Sequence, residues 1–155
     1  MWIPGFGKYT PKPGNRVGDE VPDFTLKDQD GNALRLHEHI TDKPLVLVFY
    51  PRASSPICTR QMCSLRDGWR ELMGKARVFG LSYDPVADLK KFKDEDKLPI
   101  TLLSDPDKVA AKALGVDGLF AAARVTFVVG TDKRIKAVLT SIDANGHAAQ
   151  VLKAL

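Results

Sequence analysis

Apolar residues gather in short runs along the chain, separated by polar stretches rich in proline and glycine, and the spacing inside each run predicts its conformation. "DFTL" and "ALRL" flank "KDQDGN", whose Asp-Gly marks a turn, so Asp23 to Leu36 is expected to form a β-hairpin. "PLVLVFY" (Pro44 to Tyr50) is apolar without a break, as expected of a central strand covered on both faces. Leu65, Trp69, Leu72 and Met73 then recur at helical spacing, with Gly74 as the expected stop. "ARVFGLSY" (Ala76 to Tyr83) is the next buried strand. "DPVADLKKFKDED" opens with Asp84 as an N-cap and Pro85 at the first helical position. "ITLLS" (Ile100 to Ser104) is a strand, and "DPDKVAAKALG" repeats the Asp-Pro start and closes on Gly115. "RVTFVVGTDKRIKAVLTS" predicts two strands around a tight turn, and His147 to Leu155 a final helix.

This order is a hairpin, three strand–helix units, a second hairpin and a helix. Alternating strands and helices imply parallel neighbours with right-handed crossovers, and the hairpins add antiparallel strands. The fold class is therefore an α/β sandwich, a central mixed β-sheet flanked by helices. Before it lies "MWIPGFGKYTPKPGNR", a leader without periodicity that is expected to be extended or loosely docked. The division expected is a leader over residues 1–16 and one folded domain over 17–155. A chain of 155 residues is large enough to bury a core in one domain.

Composition narrows the function classes. No apolar run approaches the roughly 20 residues a membrane helix needs. The N-terminus lacks the order of a secretory signal, so a cytoplasmic location is expected. The formal net charge is +4, but the leader holds Lys8, Lys12 and Arg16 and no acid. The body is close to neutral, which argues against a nucleic-acid-binding face.

The two cysteines, Cys58 and Cys63, fall in one short stretch after the central strand. In a continuous helix, residues five apart rise about 7.5 Å and face different ways. A disulfide needs Cα atoms within about 7 Å, so this pair makes a poor permanent staple. Structural zinc needs about four Cys or His ligands in paired spacings, whereas the three histidines here (His37, His39 and His147) form no such pair. Inert core cysteines are common, and Cys63 beside Met62 and Leu65 fits an apolar helix face. Cys58 stands among turn-forming residues at an expected helix start, where a helix N-terminus or a guanidinium favours the thiolate. Position alone leaves a reactive Cys58 and a buried, inert one both open.

The stretch "YPRASSPICTRQMCSLRD" (Tyr50 to Asp67) resembles the active-site segment of the peroxiredoxins, AhpC/TSA-like proteins, of the peroxiredoxin Q or bacterioferritin-comigratory type. Pro51, Ser55 and Cys58 fill the family's Pro-x-x-x-Thr/Ser-x-x-Cys motif, Thr59 follows, and Cys63 stands at the position of a resolving cysteine. "VGDEVPDFTLKDQDGNALRL", "TLLSDPDKVAAKALGV" and "ARVTFVVGTDKRI" extend the similarity over roughly residues 17 to 140. The resemblance implies a thioredoxin-like fold and a thiol-dependent peroxidase needing neither cofactor nor metal. Its substrates would be hydrogen peroxide and organic hydroperoxides. Cys58 would attack the peroxide and become a sulfenic acid, Cys63 would resolve it as an intramolecular disulfide, and thioredoxin or a similar dithiol would restore both thiols. Arg124 aligns with the family's arginine and would favour the thiolate and hold the peroxide. The Ser55 hydroxyl would orient it, the Ile57 and Cys58 N–H groups would complete an oxyanion site, and Pro51 and Pro56 would shape the loop. The expected assembly is a monomer, or at most a weak dimer.

Two departures from the family pattern stand out. Ile57 replaces the usual glycine, and a β-branched residue resists positive φ. The segment "VDGLFAAA" between Gly115 and Arg124 is shorter than in typical peroxiredoxin Q members and lacks their Trp-Gly. Elsewhere Arg60, His37 and His39, and the Lys90–Asp96 charge run read as solvated surface, and Arg66 with Asp67 as a surface ion pair. Trp69 reads as core. Gln61, three residues after Cys58, is as consistent with the site as with the surface. Two other functions use the same residues: a thiol–disulfide oxidoreductase, which normally carries Cys-x-x-Cys, and a non-enzymatic redox sensor. Neither gives Ser55 and Arg124 a task.

Overall fold

The computed structural model describes residues 4–155. Seven strands form one sheet: β1 (Thr25–Asp28), β2 (Ala33–Arg35), β3 (Leu45–Phe49), β4 (Arg77–Ser82), β5 (Thr101–Ser104), β6 (Val125–Val129) and β7 (Ile135–Leu139). Their spatial order is β2-β1-β5-β4-β3-β6-β7. The central three, β5, β4 and β3, run parallel. Antiparallel β6 and β7 extend one side and antiparallel β1 and β2 the other. The mixed sheet expected from the strand–helix alternation is the one observed.

The helices are α1 (Pro56–Asp67), α2 (Trp69–Lys75), α3 (Val86–Glu95), α4 (Val109–Ala113) and α5 (His147–Ala154). Alternation along β3 assigns its side chains to two cores. Leu45, Leu47 and Phe49 enter one cluster with Leu36, Phe127 and the α4 residue Ala111. Val46, Val48 and Tyr50 enter the other with Leu65, Leu72, Phe92 and Val151, contributed by α1, α2, α3 and α5. All five residues of β3 are buried, which is why its sequence shows no polar alternation. The ion pairs on the helices, such as Lys75–Glu71 and Lys90–Asp94, are solvent-exposed. Such pairs give well under about 1 kcal/mol each, so the two apolar layers hold the fold.

Several local expectations change. The helical spacing after Cys63 is two helices, not one, because the chain bends at Gly68, where an added Cβ would crowd Ala148 of α5 at 2.8 Å. Gly74 lies inside α2 instead of ending it, and Met73 is exposed. Asp84 does not cap α3, whose N-cap is Pro85; its carboxylate is turned to the loop after β3. Helix α4 starts at Val109, later than its Asp-Pro signal, and the buried Asp105 carboxylate accepts the Ala111 N–H at 2.9 Å. His37 and His39 are half-buried: His37 Nε2 meets the Val21 carbonyl at 2.8 Å and His39 packs edge-on against Phe79. Lys93 is not on a solvated face, since its ammonium donates to the Leu98 and Ile100 carbonyls, both at 2.8 Å.

Candidate active site

The site is built where β3 ends. Pro51 to Ser55 turn the chain from β3 into α1, and three observations explain the turn's shape. The Ala53 N–H donates to Asp84 Oδ2 at 2.7 Å. The same carboxylate oxygen accepts the Ser82 hydroxyl at 2.7 Å, and the Asp84 carbonyl accepts the Ser104 hydroxyl at 2.6 Å. Asp84 thus ties the loop to the ends of β4 and β5. Ser54 takes the left-handed conformation, with φ 62°. Ile57 does not, because it is already helical. The conformation for which glycine would be favoured falls at Ser54, so Ile57 is accommodated without strain.

Ser55 is the N-cap of α1 with an extended backbone, φ −72° and ψ 152°, yet its side chain does not cap the helix. The hydroxyl donates instead to the Arg52 carbonyl at 3.1 Å, leaving its lone pairs to accept. Pro56 at the first helical position has no N–H, and the Ser55 carbonyl accepts from Thr59 at 2.8 Å. The N–H groups of Ile57 and Cys58 have no partner within the helix, as the first turn dictates.

The buried face of α1 carries Cys58, Gln61, Met62 and Leu65, at i, i+3, i+4 and i+7. Cys58 has no exposed surface and packs in the layer with Val48, Tyr50 and Met62. Of the two settings its position left open, the structure shows the buried one. Gln61 is also fully buried, and its Oε1 accepts a 2.6 Å hydrogen bond from Arg124 Nη1. Arg124 leads into β6, antiparallel beside β3, and the pairing of Phe49 with Val125 brings the end of β6 next to the loop after β3. The guanidinium therefore lies against the α1 face that holds Cys58, one turn from it. The Gln61 Nε2 and Tyr50 hydroxyl atoms are buried with no hydrogen-bond partner among the described residues. Burial, aided by the Asp84 charge, pushes the Tyr50 phenol far above its ordinary range, so it stays protonated.

At the start of α1 opens a cavity of about 510 Å³ whose lining includes Pro51, Ser55, Pro56, Ile57 and Arg124. Its polar lining residues are Arg52, Ser55 and Arg124, and the rest are apolar. Cys63 lies five residues further along the same helix, partly exposed and free, as Cys58 is free. Burial pushes its thiol above the ordinary value, with the Arg66 charge opposing and Asp96 and Asp67 adding to the rise.

An AhpC/TSA family model matches residues 17–138. The chain belongs to the AhpC/TSA family. This peroxiredoxin chain is 43% identical to peroxiredoxin bcp1 of Schizosaccharomyces pombe over 103 residues, 66% of this chain and 53% of that protein. It is 36% identical to the chloroplastic peroxiredoxin Q of Oryza sativa subsp. japonica over 143 residues, 89% of this chain and 65% of that protein. The chain thus spans between half and two thirds of the length of these two relatives. The crystal structure of peroxidoxin BcpB from Mycobacterium tuberculosis superposes with a TM-score of 0.83 at 36% identity, covering 89% of this chain and 94% of that one. The fold is that of the thioredoxin-like peroxiredoxins, which are thiol peroxidases. Among the described residues, no helix is long and apolar enough to cross a membrane, and no cluster of three or more His, Cys, Asp and Glu side chains could hold a metal ion.

Within this peroxiredoxin the structure brings together Pro51, Ser55, Ile57 and Arg124 around one cavity, whereas Cys58, next in chain to Ile57, is fully buried and is not part of its lining. Arg60 is exposed and distinct from the cavity lining, and Arg66 pairs with Asp67 at 3.0 Å while also donating to the Asp96 carbonyl. Trp69 is half-buried against the α-helical layer. Two further residues shape the site: Gln61, which the sequence left between site and surface, and Asp84, which it read only as a helix cap. Gln61 had a readable signal, since it is the one polar residue on an otherwise apolar helix stripe. Asp84 did not: an Asp-Pro before a helix is an ordinary cap signal, and only the sheet brings it to Ala53.

Proposed function

We propose that this peroxiredoxin reduces hydrogen peroxide and organic hydroperoxides through a Cys58 sulfenic acid that Cys63 resolves. The observation that carries the reading is the Arg124–Gln61 hydrogen bond. It fixes an always-charged guanidinium on the face of α1 that bears Cys58, while the same arginine lines the cavity with Ser55. A buried structural thiol would need no such neighbour.

The chemistry follows from the groups present. The Cys58 thiolate attacks one peroxide oxygen; an S–O bond forms, the O–O bond breaks, and hydroxide or alkoxide leaves and takes up a proton. Sulfur loses two electrons and the peroxide gains them. Charge develops on the oxygens, so donors aimed at them lower the barrier most: Arg124 and the Ile57 and Cys58 N–H groups. Ser55, already donating to the Arg52 carbonyl, accepts a hydrogen bond from the hydroperoxide O–H, whose proton stays on the attacked oxygen, and turns the O–O axis toward sulfur.

Resolution forms an S–S bond and expels water from the sulfenic acid. Both cysteines lie in one continuous helix, α1, so their sulfurs meet only when the first turn unwinds. The spacing keeps the thiols apart when reduced and joins them on local opening. A dithiol such as thioredoxin then takes the disulfide back to two thiols by exchange, which suits a reducing compartment such as the cytoplasm. The cycle uses residues of one chain and is complete in a monomer.

Cys58→Ser is expected to abolish peroxide consumption with a thioredoxin system. Cys63→Ser should still consume one equivalent of peroxide and lose recycling by thioredoxin. Mass spectrometry of the oxidised wild type should show a loss of two hydrogens linking the Cys58 and Cys63 peptides. Full turnover by Cys58→Ser overturns the reading, and disulfide reductase activity without peroxidase activity selects the thiol–disulfide oxidoreductase instead.

A further inference from the structure

The cavity lined by Ser55 and Arg124 has a wall contributed by the leader. Phe6 lines it, together with the apolar side chains of Phe120 and Ile57. The leader is seated there by its backbone. The Gly5 carbonyl accepts from the Phe120 N–H at 2.8 Å, and the Gly7 N–H donates to the Ala121 carbonyl at 2.9 Å, so Phe6 is held on both sides in a parallel bridge to Ala121. The approach is too close for side chains. A Cβ on Gly7 would collide with the Val116 carbonyl, and one on Gly118 with the Gly7 nitrogen. Gly118 is itself fixed by Tyr83, whose hydroxyl donates to its carbonyl and accepts its N–H, both at 3.0 Å.

Further along, the Thr10 N–H donates to the Gly115 carbonyl at 2.8 Å, and the fully buried Asn15 side chain donates to Thr10 and Leu114 carbonyls at 2.9 and 3.0 Å. A loosely docked tail would not bury an asparagine amide in bonds to a distant loop. The segment that is short between Gly115 and Arg124 is the one the leader crosses.

Six of the nine cavity-lining residues are apolar, and the polar ones are Arg52, Ser55 and Arg124. Phe120 is 69% exposed and Ile57 47%, so hydrocarbon side chains are held open at the mouth. Hydrogen peroxide offers such a wall nothing to bury. A hydroperoxide with an aryl or branched alkyl substituent fills it, its –OOH directed to Ser55 and Arg124. A volume of about 510 Å³ is in the range of small-molecule pockets.

We infer that Phe6, delivered by the leader, is a specificity-determining residue that favours hydroperoxides with a bulky apolar substituent over hydrogen peroxide. The inference rests on the peroxidase reading above and adds the residue that sets its preference.

The test is the ratio of kcat/KM for cumene hydroperoxide to that for hydrogen peroxide, measured in the full chain with a thioredoxin system. Phe6→Ala should lower the ratio about tenfold, the scale on which apolar pockets discriminate, mainly through KM for the cumene substrate. Phe6→Leu, which keeps the wall apolar, should stay within about threefold of wild type. Phe120→Ala removes the neighbouring part of the wall, a ring that packs on Gly5, while keeping the backbone bond to Gly5, and should move the ratio in the same direction; it decides the matter where Phe6→Ala does not fold. An unchanged ratio, or equal losses on both substrates, overturns the inference while leaving the peroxidase reading standing. A wild type that consumes neither peroxide overturns that reading instead.

Discussion

The two halves of α1 hold chemically different sulfurs. At the N-terminal end, Cys58 is fully buried, yet it shares its face with Gln61 and through it with Arg124. The first turn is uncapped by any side chain and rests on a loop tied down by Asp84. At the C-terminal end, Cys63 is more exposed, but it lies among Asp67, Asp96 and Arg66, and burial pushes its thiol up. That half is pinned by α5, where the Ala148 N–H donates to the Ser64 hydroxyl at 3.2 Å and Gly68 gives Ala148 room. Exposure alone would rank Cys63 ahead of Cys58, the reverse of the proposed roles. On the proposed cycle, what separates the two is which charges lie near each sulfur and how each half of the helix is held: the first turn has no side-chain cap, and the second half is bonded to α5.

The largest expected effect breaks this contrast at the arginine. Arg124→Ala leaves the buried Gln61 Oε1 without its partner and removes the guanidinium from the cavity. The kcat/KM for hydrogen peroxide should fall about 10² to 10³-fold, the usual cost of losing a donor to developing oxyanion charge. Reaction of Cys63 with an alkylating reagent should change little. A loss of less than about threefold would show that the arginine serves the fold and not the reaction.

Much of this arrangement is legible in the residues, and the gaps have physical causes. The uninterrupted apolar run Pro44 to Tyr50 and the strand–helix alternation give the parallel centre of the sheet, because burial on both faces leaves no polar alternation to misread. Local signals misled where a distant element claimed the group. Asp84 precedes Pro85 as a cap would, but the Ala53 N–H, 31 residues away, takes its carboxylate. Met73 and Gly74 continue a helical period that the chain interrupts at Gly68, for the sake of α5, 80 residues on. The leader has no periodicity because its order comes from main-chain bonds and absent side chains, which hydropathy does not record.

A smaller effect sharpens the difference between the sulfurs through pH. The Cys63 thiol is raised in the closed helix, whereas an opened helix lets it ionise near the ordinary value of about 8.5. The closed form is therefore fully favoured below that value, and loses its advantage as pH rises through the raised one. The rate of disulfide closure, followed by acid quench and mass spectrometry after one equivalent of peroxide, should climb with pH and keep climbing past about pH 8.5. Levelling at or below that value would mean that Cys63 is already solvated, and that no closed helix restrains it.

The smallest effect concerns the pin itself. His147 opens α5 and is fully buried, with Nε2 2.9 Å from the Thr126 hydroxyl and Nδ1 3.0 Å from Gln150 Oε1. The Gln150 amide is oriented by donating to the Ser141 carbonyl, so its Oε1 accepts; Nδ1 carries the proton and Nε2 accepts from Thr126. A second proton would have to displace the Thr126 bond, beside the Arg124 charge. Burial holds the imidazole below its ordinary value, with Gln150 opposing. An unfolded chain takes up that proton near pH 6.5, so the stabilisation is complete above this and is lost as pH falls toward the lowered folded value. Losing one such hydrogen bond costs about 1 kcal/mol, which lowers Tm by about 2–4 °C at this chain length. Thermal melts between pH 7 and 5 should show that step in the wild type and a flatter profile in His147→Gln. Disulfide closure in the wild type should also quicken at the acid end relative to the variant, because a loosened α5 frees the half of α1 that carries Cys63. A His147→Gln profile identical to wild type would place the acid step elsewhere and leave α5 without a part in restraining the second sulfur.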